Sequence, residues 1–205
     1  GGGRGAARFG TGGALMLAVL TGPVRSGKSR AGLRLALASG RPVVLAIGGL
    51  PNDEEMARRI ERHRAERSDE ISVIECTGSV DWYHDVPDDA CLLVDCLGTV
   101  LGSSLAGLLP DDAEVADAAA EQRAEAVADD LVAWLAARSA PTVVVTNEVG
   151  WGVVPATPLG RLFRDVLGRA NRTLVDSADA AWLVVSGRCL PLNHLDQEVT
   201  WPQER

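Results

Sequence analysis

Apolar residues fall along this chain in two alternating patterns. Short, unbroken apolar runs occupy residues 15–21, 43–47, 71–75, 91–95, 142–146 and 181–186. A strand covered on both faces shows no polar alternation, so these runs predict buried strands. Between them, residues 28–38, 53–67, 97–109, 113–138 and 159–177 carry apolar positions at helical spacing. Strand and helix in alternation predict an α/β domain, with a largely parallel sheet covered by helices on both faces. The Pro110-Asp111-Asp112 step is expected to stop one helix and cap the next. Within 113–138, Val127, Leu131, Trp134 and Leu135 share one apolar face, which is ordinary core packing. The chain shows no internal repeat.

Length and composition narrow this picture. At 205 residues the chain suits one α/β domain. Apolar residues make up 46% but aromatic residues only 4%, so Val, Leu and Ala must fill the core. A net charge of −8 argues against nonspecific nucleic-acid binding, which needs Lys/Arg patches to neutralise phosphates. Cys76, Cys91, Cys96 and Cys189 show no CxxC spacing and read as free thiols of a reducing cytoplasm. No apolar run approaches the roughly 20 residues of a membrane span. Residues 1–13, Gly-rich with Arg4 and Arg8, read as a flexible leader; residues 14–192 read as a single domain, and 193–205, with Pro202, as a polar, loosely docked tail.

The chemistry begins at Gly22-Pro23-Val24-Arg25-Ser26-Gly27-Lys28-Ser29, which matches GxxxxGK[ST] at every fixed position between a strand and a helix. The backbone N–H groups of such a loop cradle phosphates, and the helix N-terminus adds partial positive charge. Lys28 is placed to reach the β- and γ-phosphates, and the Ser29 hydroxyl to hold Mg²⁺.

Ligands of parallel sheets gather at the carboxyl ends of strands. That directs attention to residues 48–53, Asp95 with Cys96, and residues 147–155. Cys91-Leu92-Leu93-Val94-Asp95 has the form of a Walker B strand, whose Asp contacts Mg²⁺. Residues 53–64 open with acids and end in bases, as a solvated helix prefers. The cluster Arg59, Arg62, His63, Arg64 and Arg67 admits a second reading, with an imidazole attacking phosphorus while arginines neutralise the developing charge. Thr146-Asn147-Glu148-Val149-Gly150 begins either a structural loop or a set of polar groups over the site. Downstream, Arg161, Arg164, Asp165, Arg169 and Asn171 share a helix with a packing face and suit a subunit contact or a substrate wall.

On these residues the chain resembles the bifunctional adenosylcobinamide kinase / adenosylcobinamide-phosphate guanylyltransferase family of cobalamin biosynthesis. The P-loop, the stretch from Asp53 to His63-Arg64, and Thr146-Asn147-Glu148-Val149-Gly150 carry the likeness. So do Val154-Pro155, Arg161 with Phe163-Arg164-Asp165, Gly168-Arg169 with Asn171, Ala178-Asp179, and the ending from Trp182 to Gly187. The resemblance implies a RecA-like P-loop NTPase fold, a homo-oligomer, typically a trimer, and two reactions. A nucleoside triphosphate, ATP or GTP, phosphorylates the aminopropanol hydroxyl of adenosylcobinamide. GTP then guanylylates a histidine, and the GMP passes on to give adenosylcobinamide-GDP. The motif match puts that histidine at His63, beside Lys28 as the other catalytic residue. The nucleotide-binding set is Gly22, Pro23, Val24, Arg25, Ser26, Gly27, Lys28, Ser29, Leu50, Pro51, Asn52, Arg67, Glu75 and Asp95, with Ser29 and Asp95 on Mg²⁺. The family's usual Ala-Thr step after the second strand is replaced here by Ile47-Gly48-Gly49, and its Trp soon after the histidine segment is missing from residues 68–72. A kinase that has lost guanylyl transfer and a GTP-binding switch protein are the competing readings.

Overall fold

The computed structural model describes residues 15–48, 71–76, 81–109, 113, 115–193 and 195. The expected helix 53–67 with His63, the candidates Leu50, Pro51, Asn52 and Arg67, the 1–13 leader, the Pro110–Asp112 step and the tail from 196 lie outside the described residues.

Each expected strand forms, with ends moved by at most two residues: β1 Leu17–Thr21, β2 Val43–Gly48, β3 Ile71–Cys76, β4 Cys91–Asp95, β5 Thr142–Val145 and β6 Ala180–Val185. They join a seventh strand, β7 Arg188–Pro191, in one sheet of order β3-β2-β4-β5-β1-β6-β7. All pairings are parallel except β6 with β7. β1 lies between β5 and β6, with Leu20 facing Val145 on one side and Trp182 on the other. Every residue of β1, β2 and β5 is buried, which accounts for the unbroken apolar runs.

The described helices are α1 Lys28–Leu37, α2 Leu97–Leu105, α3 Ala118–Ala137 and α4 Pro158–Ser177. Successive strand residues point to opposite faces, so the core divides in two. Ala18, Leu20, Leu45, Leu93, Val143 and Val145 pack with Ala36 of α1. Val19, Val44, Leu92, Val94 and Val144 pack with α2, α3 and α4 through Leu101, Leu131, Leu135, Leu167 and Leu174. α1 sits close on its face: a Cβ on Gly32 would meet Val145 Cγ2 at 2.7 Å.

The structure corrects three expectations. α3 begins at Ala118 rather than 113, because Asp117 caps it: its carboxylate accepts from Ala120 N at 2.7 Å. Its buried stripe is Ala120, Ala124, Ala128, Leu131, Val132 and Leu135, while Val127 and Trp134 are only partly buried. α2 ends at Leu105 instead of running to 109, and Gly107 turns the chain at φ 79°. The third is β7, which was not anticipated. Ser186 (φ 49°) and Gly187 (φ 72°) form the two-residue turn that folds it onto β6. Asn193 is docked as well, its Oδ1 accepting from Ala181 N at 2.5 Å. Cys76, Cys91 and Cys96 are buried free thiols and Cys189 is exposed; burial pushes Cys76 up to about 12.

Candidate active site at the carboxyl edge of the sheet

Residues 22–29 leave β1 at the carboxyl edge and curl into the first turn of α1. Gly22 must be glycine: its φ is +143°, and a Cβ there would meet Val184 O of β6 at 2.3 Å. Gly27 caps α1 at φ +99°. The β6–β7 turn braces the loop from behind, Gly187 N donating to Ser26 O at 2.8 Å. Val24 and Arg25 stand exposed on the crown, whereas Ser26 and Lys28 are buried.

Lys28 is only 6% exposed, and its Nζ donates to Pro23 O at 2.7 Å, so the ammonium lies folded into its own loop. Burial pushes its pKa below the ordinary value, and nearby Cys96, Asp95 and Glu148 push it back up. Ser29 Oγ donates to Asp95 Oδ1 at 3.0 Å. This contact spans the sheet, because β5 lies between β1 and Asp95's strand. A cis peptide joins Asp95 to Cys96, and Thr99 Oγ1 donates to Cys96 O at 2.8 Å, fixing the entry to α2.

Residues 146–148 complete the site. Thr21 Oγ1 donates to Glu148 Oε1, and Glu148 N donates to Gly22 O at 3.3 Å. α4 holds this loop through a buried relay. Thr146 Oγ1 donates to Asn171 Oδ1 at 2.6 Å, and Asn171 Nδ2 donates to Asn147 O at 3.0 Å. Asn147 Nδ2 in turn reaches Cys96 Sγ at 3.4 Å. Further along, Arg161 Nη1 donates to Pro155 O at 3.2 Å and Ala156 O at 2.8 Å. Trp151 and Val153 project into solvent, 66% and 94% exposed.

The expected site residues therefore fall into three groups. The P-loop, Ser29, Lys28 and Asp95 come together. Glu75 does not join them: it is the penultimate residue of β3, exposed, with β2, β4 and β5 between it and β1, about 19 Å at the usual strand spacing. Leu50, Pro51, Asn52, His63 and Arg67 follow β2, whose carboxyl end adjoins β4. Sequence reasoning had no role for Thr21 or for the clamp made by Asn171. Asn171 did carry a signal, as a polar residue four positions after Leu167 on the buried face of α4.

Oxygen donors suit Mg²⁺, and those present fit it: the Ser29 hydroxyl and the Asp95 carboxylate already touch. The Ser26 hydroxyl, buried and without a hydrogen-bond partner among the described residues, leaves a donor for a phosphate oxygen.

A parallel sheet with a P-loop on a central strand and a strand-ending Asp bonded to the loop's serine defines a P-loop nucleotide-binding enzyme. Comparison with known proteins gives the particular family. Residues 18–192 match the cobinamide kinase / cobinamide phosphate guanyltransferase family. The bifunctional adenosylcobalamin biosynthesis protein CobU of Salmonella typhimurium is 40% identical over 179 residues, covering 84% of this chain and 97% of the relative. CobU of Escherichia coli K12 is 37% identical over 176 residues, with 84% and 97% covered. CobP of Pseudomonas aeruginosa, also a bifunctional adenosylcobalamin biosynthesis protein, is 32% identical over 176 residues, with 85% and 95% covered. The chain belongs to the cobinamide kinase / cobinamide phosphate guanyltransferase family and is a bifunctional enzyme of cobalamin biosynthesis. No described helix is long and apolar enough to cross a membrane.

Proposed function

We propose that the P-loop site phosphorylates the aminopropanol hydroxyl of adenosylcobinamide, and that His63 then carries GMP from GTP to the phosphorylated product, giving adenosylcobinamide-GDP. The observation that carries this reading is the contact of Ser29 Oγ with Asp95 beside a buried Lys28. Backbone N–H groups of residues 24–28 and the α1 N-terminus bind the β- and γ-phosphates. Lys28, released from Pro23 O, supplies positive charge where the transferring phosphoryl group gains negative charge. Ser29 and Asp95 hold Mg²⁺, which when bound neutralises charge between the phosphates. Glu75, far from the phosphate loop, suits the nucleoside end of the substrate, and Leu50, Pro51, Asn52 and Arg67 extend the nucleotide site from the end of β2. The exposed apolar side chains of Trp151 and Val153, beside Glu148, supply surface that a subunit contact in a cytoplasmic trimer would cover.

In the second step the His63 imidazole attacks the α-phosphorus of GTP, pyrophosphate leaves, and a phosphorus–nitrogen bond forms. Such a bond is acid-labile and base-stable, unlike a phosphoester to Ser or Thr. Incubation with α-labelled GTP and Mg²⁺ should give a protein-bound label that survives alkali and is lost in acid. His63→Ala should abolish both label and guanylyl transfer while largely sparing the kinase step. Label mapped to any other residue, or guanylyl transfer persisting in His63→Ala, overturns the assignment.

A further inference from the structure

Two carboxylates lie close enough to Lys28 to act on its charge, those of Asp95 and Glu148. Their commitments differ. Asp95 is bonded by Ser29 Oγ at 3.0 Å and goes with the metal-binding pair. Glu148 has one oxygen on Thr21 Oγ1, while its other oxygen has no hydrogen-bond partner among the described residues. The backbone beneath it is fixed twice, by Glu148 N on Gly22 O at 3.3 Å and by the Asn171–Asn147 clamp at 3.0 Å. A half-buried carboxylate is thus held rigidly at the mouth of the phosphate loop with one oxygen open.

The two reactions make different demands on such a group. An alcohol acceptor attacks phosphorus only if its proton is taken up, and phosphoryl-transfer enzymes with alcohol acceptors position a carboxylate for this. An imidazole attacking the α-phosphorus, and an already ionised phosphate receiving GMP, need no such base.

We propose that Glu148 is the general base of the kinase step, an inference that rests on the kinase reading above. The acceptor hydroxyl oxygen forms its bond to the γ-phosphorus. The bond from that phosphorus to the β,γ-bridging oxygen breaks, and its electron pair leaves on the nucleoside diphosphate. The hydroxyl proton passes to the open oxygen of Glu148 and from there to water. Thr21 is a positioning residue, holding the other oxygen.

The test separates the two activities in one preparation of the full chain. Glu148→Gln keeps an oxygen for Thr21 and removes the base. Its kinase turnover with cobinamide and saturating nucleotide should fall by about 10²- to 10⁴-fold. The KM for nucleotide should stay within about threefold, and covalent labelling by α-labelled GTP should be unchanged. Thr21→Val, which frees the carboxylate, should lower kinase turnover by about tenfold with labelling intact, and it carries the same split if Glu148→Gln does not fold. Kinase turnover of Glu148→Gln within threefold of wild type overturns the proposal. So does parallel loss of labelling and kinase activity, which marks a packing role, or a raised Mg²⁺ requirement at unchanged turnover, which marks a metal-shell role. A wild-type protein that labels but does not phosphorylate cobinamide overturns the kinase reading itself.

Discussion

At the carboxyl edge of the sheet meet the P-loop, Ser29, Asp95 and Glu148; at the amino edge, Trp82, Tyr83, Trp134 and Arg138. Both ends gather polar groups against a core, but they dispose of them differently. At the amino edge Arg138 donates Nε to Thr142 Oγ1 at 3.2 Å and Nη2 to Ala90 O at 3.0 Å and Pro87 O at 3.4 Å. Its guanidinium also lies 5.2 Å from the Trp134 ring centre, and Tyr83 stacks on that ring at 4.9 Å. Through Nε and Nη2 the cation joins the strand-entry loops, beside a cleft of about 280 Å³. Trp82 Nε1, buried and without a hydrogen-bond partner among the described residues, is an exception there. At the carboxyl edge the cation folds onto its own loop, and Ser26 Oγ and one Glu148 oxygen have no hydrogen-bond partner among the described residues. Charge that closes a structure is committed to several neighbouring oxygens at once; charge that serves chemistry is held by one.

Removing each cation in turn is the sharpest way to break this contrast. Lys28→Ala should cost several kcal/mol of transition-state stabilisation, about a thousandfold or more in phosphoryl transfer, while the protein stays folded. Burial holds the Lys28 ammonium below its ordinary value of 10.5. Between that lowered value and 10.5 the unfolded chain binds more protons than the folded one, so folding stability rises with pH there. Denaturant titrations across alkaline pH should show that rise in wild type and a weaker one in Lys28→Ala. A folded Lys28→Ala protein with full kinase activity would refute the assignment of this end. Arg138→Ala should do the reverse. We expect a loss of about 2 kcal/mol in stability, from charge-assisted bonds and the ring contact, with covalent guanylylation unchanged at permissive temperature. A loss of labelling in still-folded Arg138→Ala would erase the distinction. The smallest effect is set by Arg169, whose salt bridges to Glu125 at 2.8 Å and Asp129 at 2.6 Å join α4 to α3 on the exposed surface. Arg169→Ala should change stability by no more than about 1 kcal/mol, shrinking further at high salt, as thermal melts in low and high salt will show.

Much of this arrangement was legible in the sequence because it is local. Buried parallel strands write themselves as apolar runs, and the P-loop is contiguous. What was not legible depends on residues far apart in the chain. Thr21 meets Glu148 and Thr146 meets Asn171 only because β5 pairs with β1 and α4 packs behind them. The missing Ala-Thr step after β2 also has a structural account. A Cβ on Gly48 would meet Val100 N at 2.2 Å and Thr99 C at 2.3 Å, so the first turn of α2 leaves no room for a side chain. The departure that suggested a lost activity is thereby explained at Gly48 by packing. β7 was missed because its Ser-Gly turn precedes a run of only four residues, largely exposed, which periodicity cannot separate from a loop. The early start assigned to α3 failed at Asp117, which competed with the Asp residues upstream as its cap.

The turn at Ser186–Gly187 also orders events in time. The loop at residues 22–29 leaves the ribosome before the strands that flank its own, residues 142–145 and 180–185, and before its brace at Gly187. The phosphate loop is therefore translated before the segments that flank and brace it. A chain cut before residue 187 carries the whole P-loop motif without the contact that orients its Ser26 carbonyl.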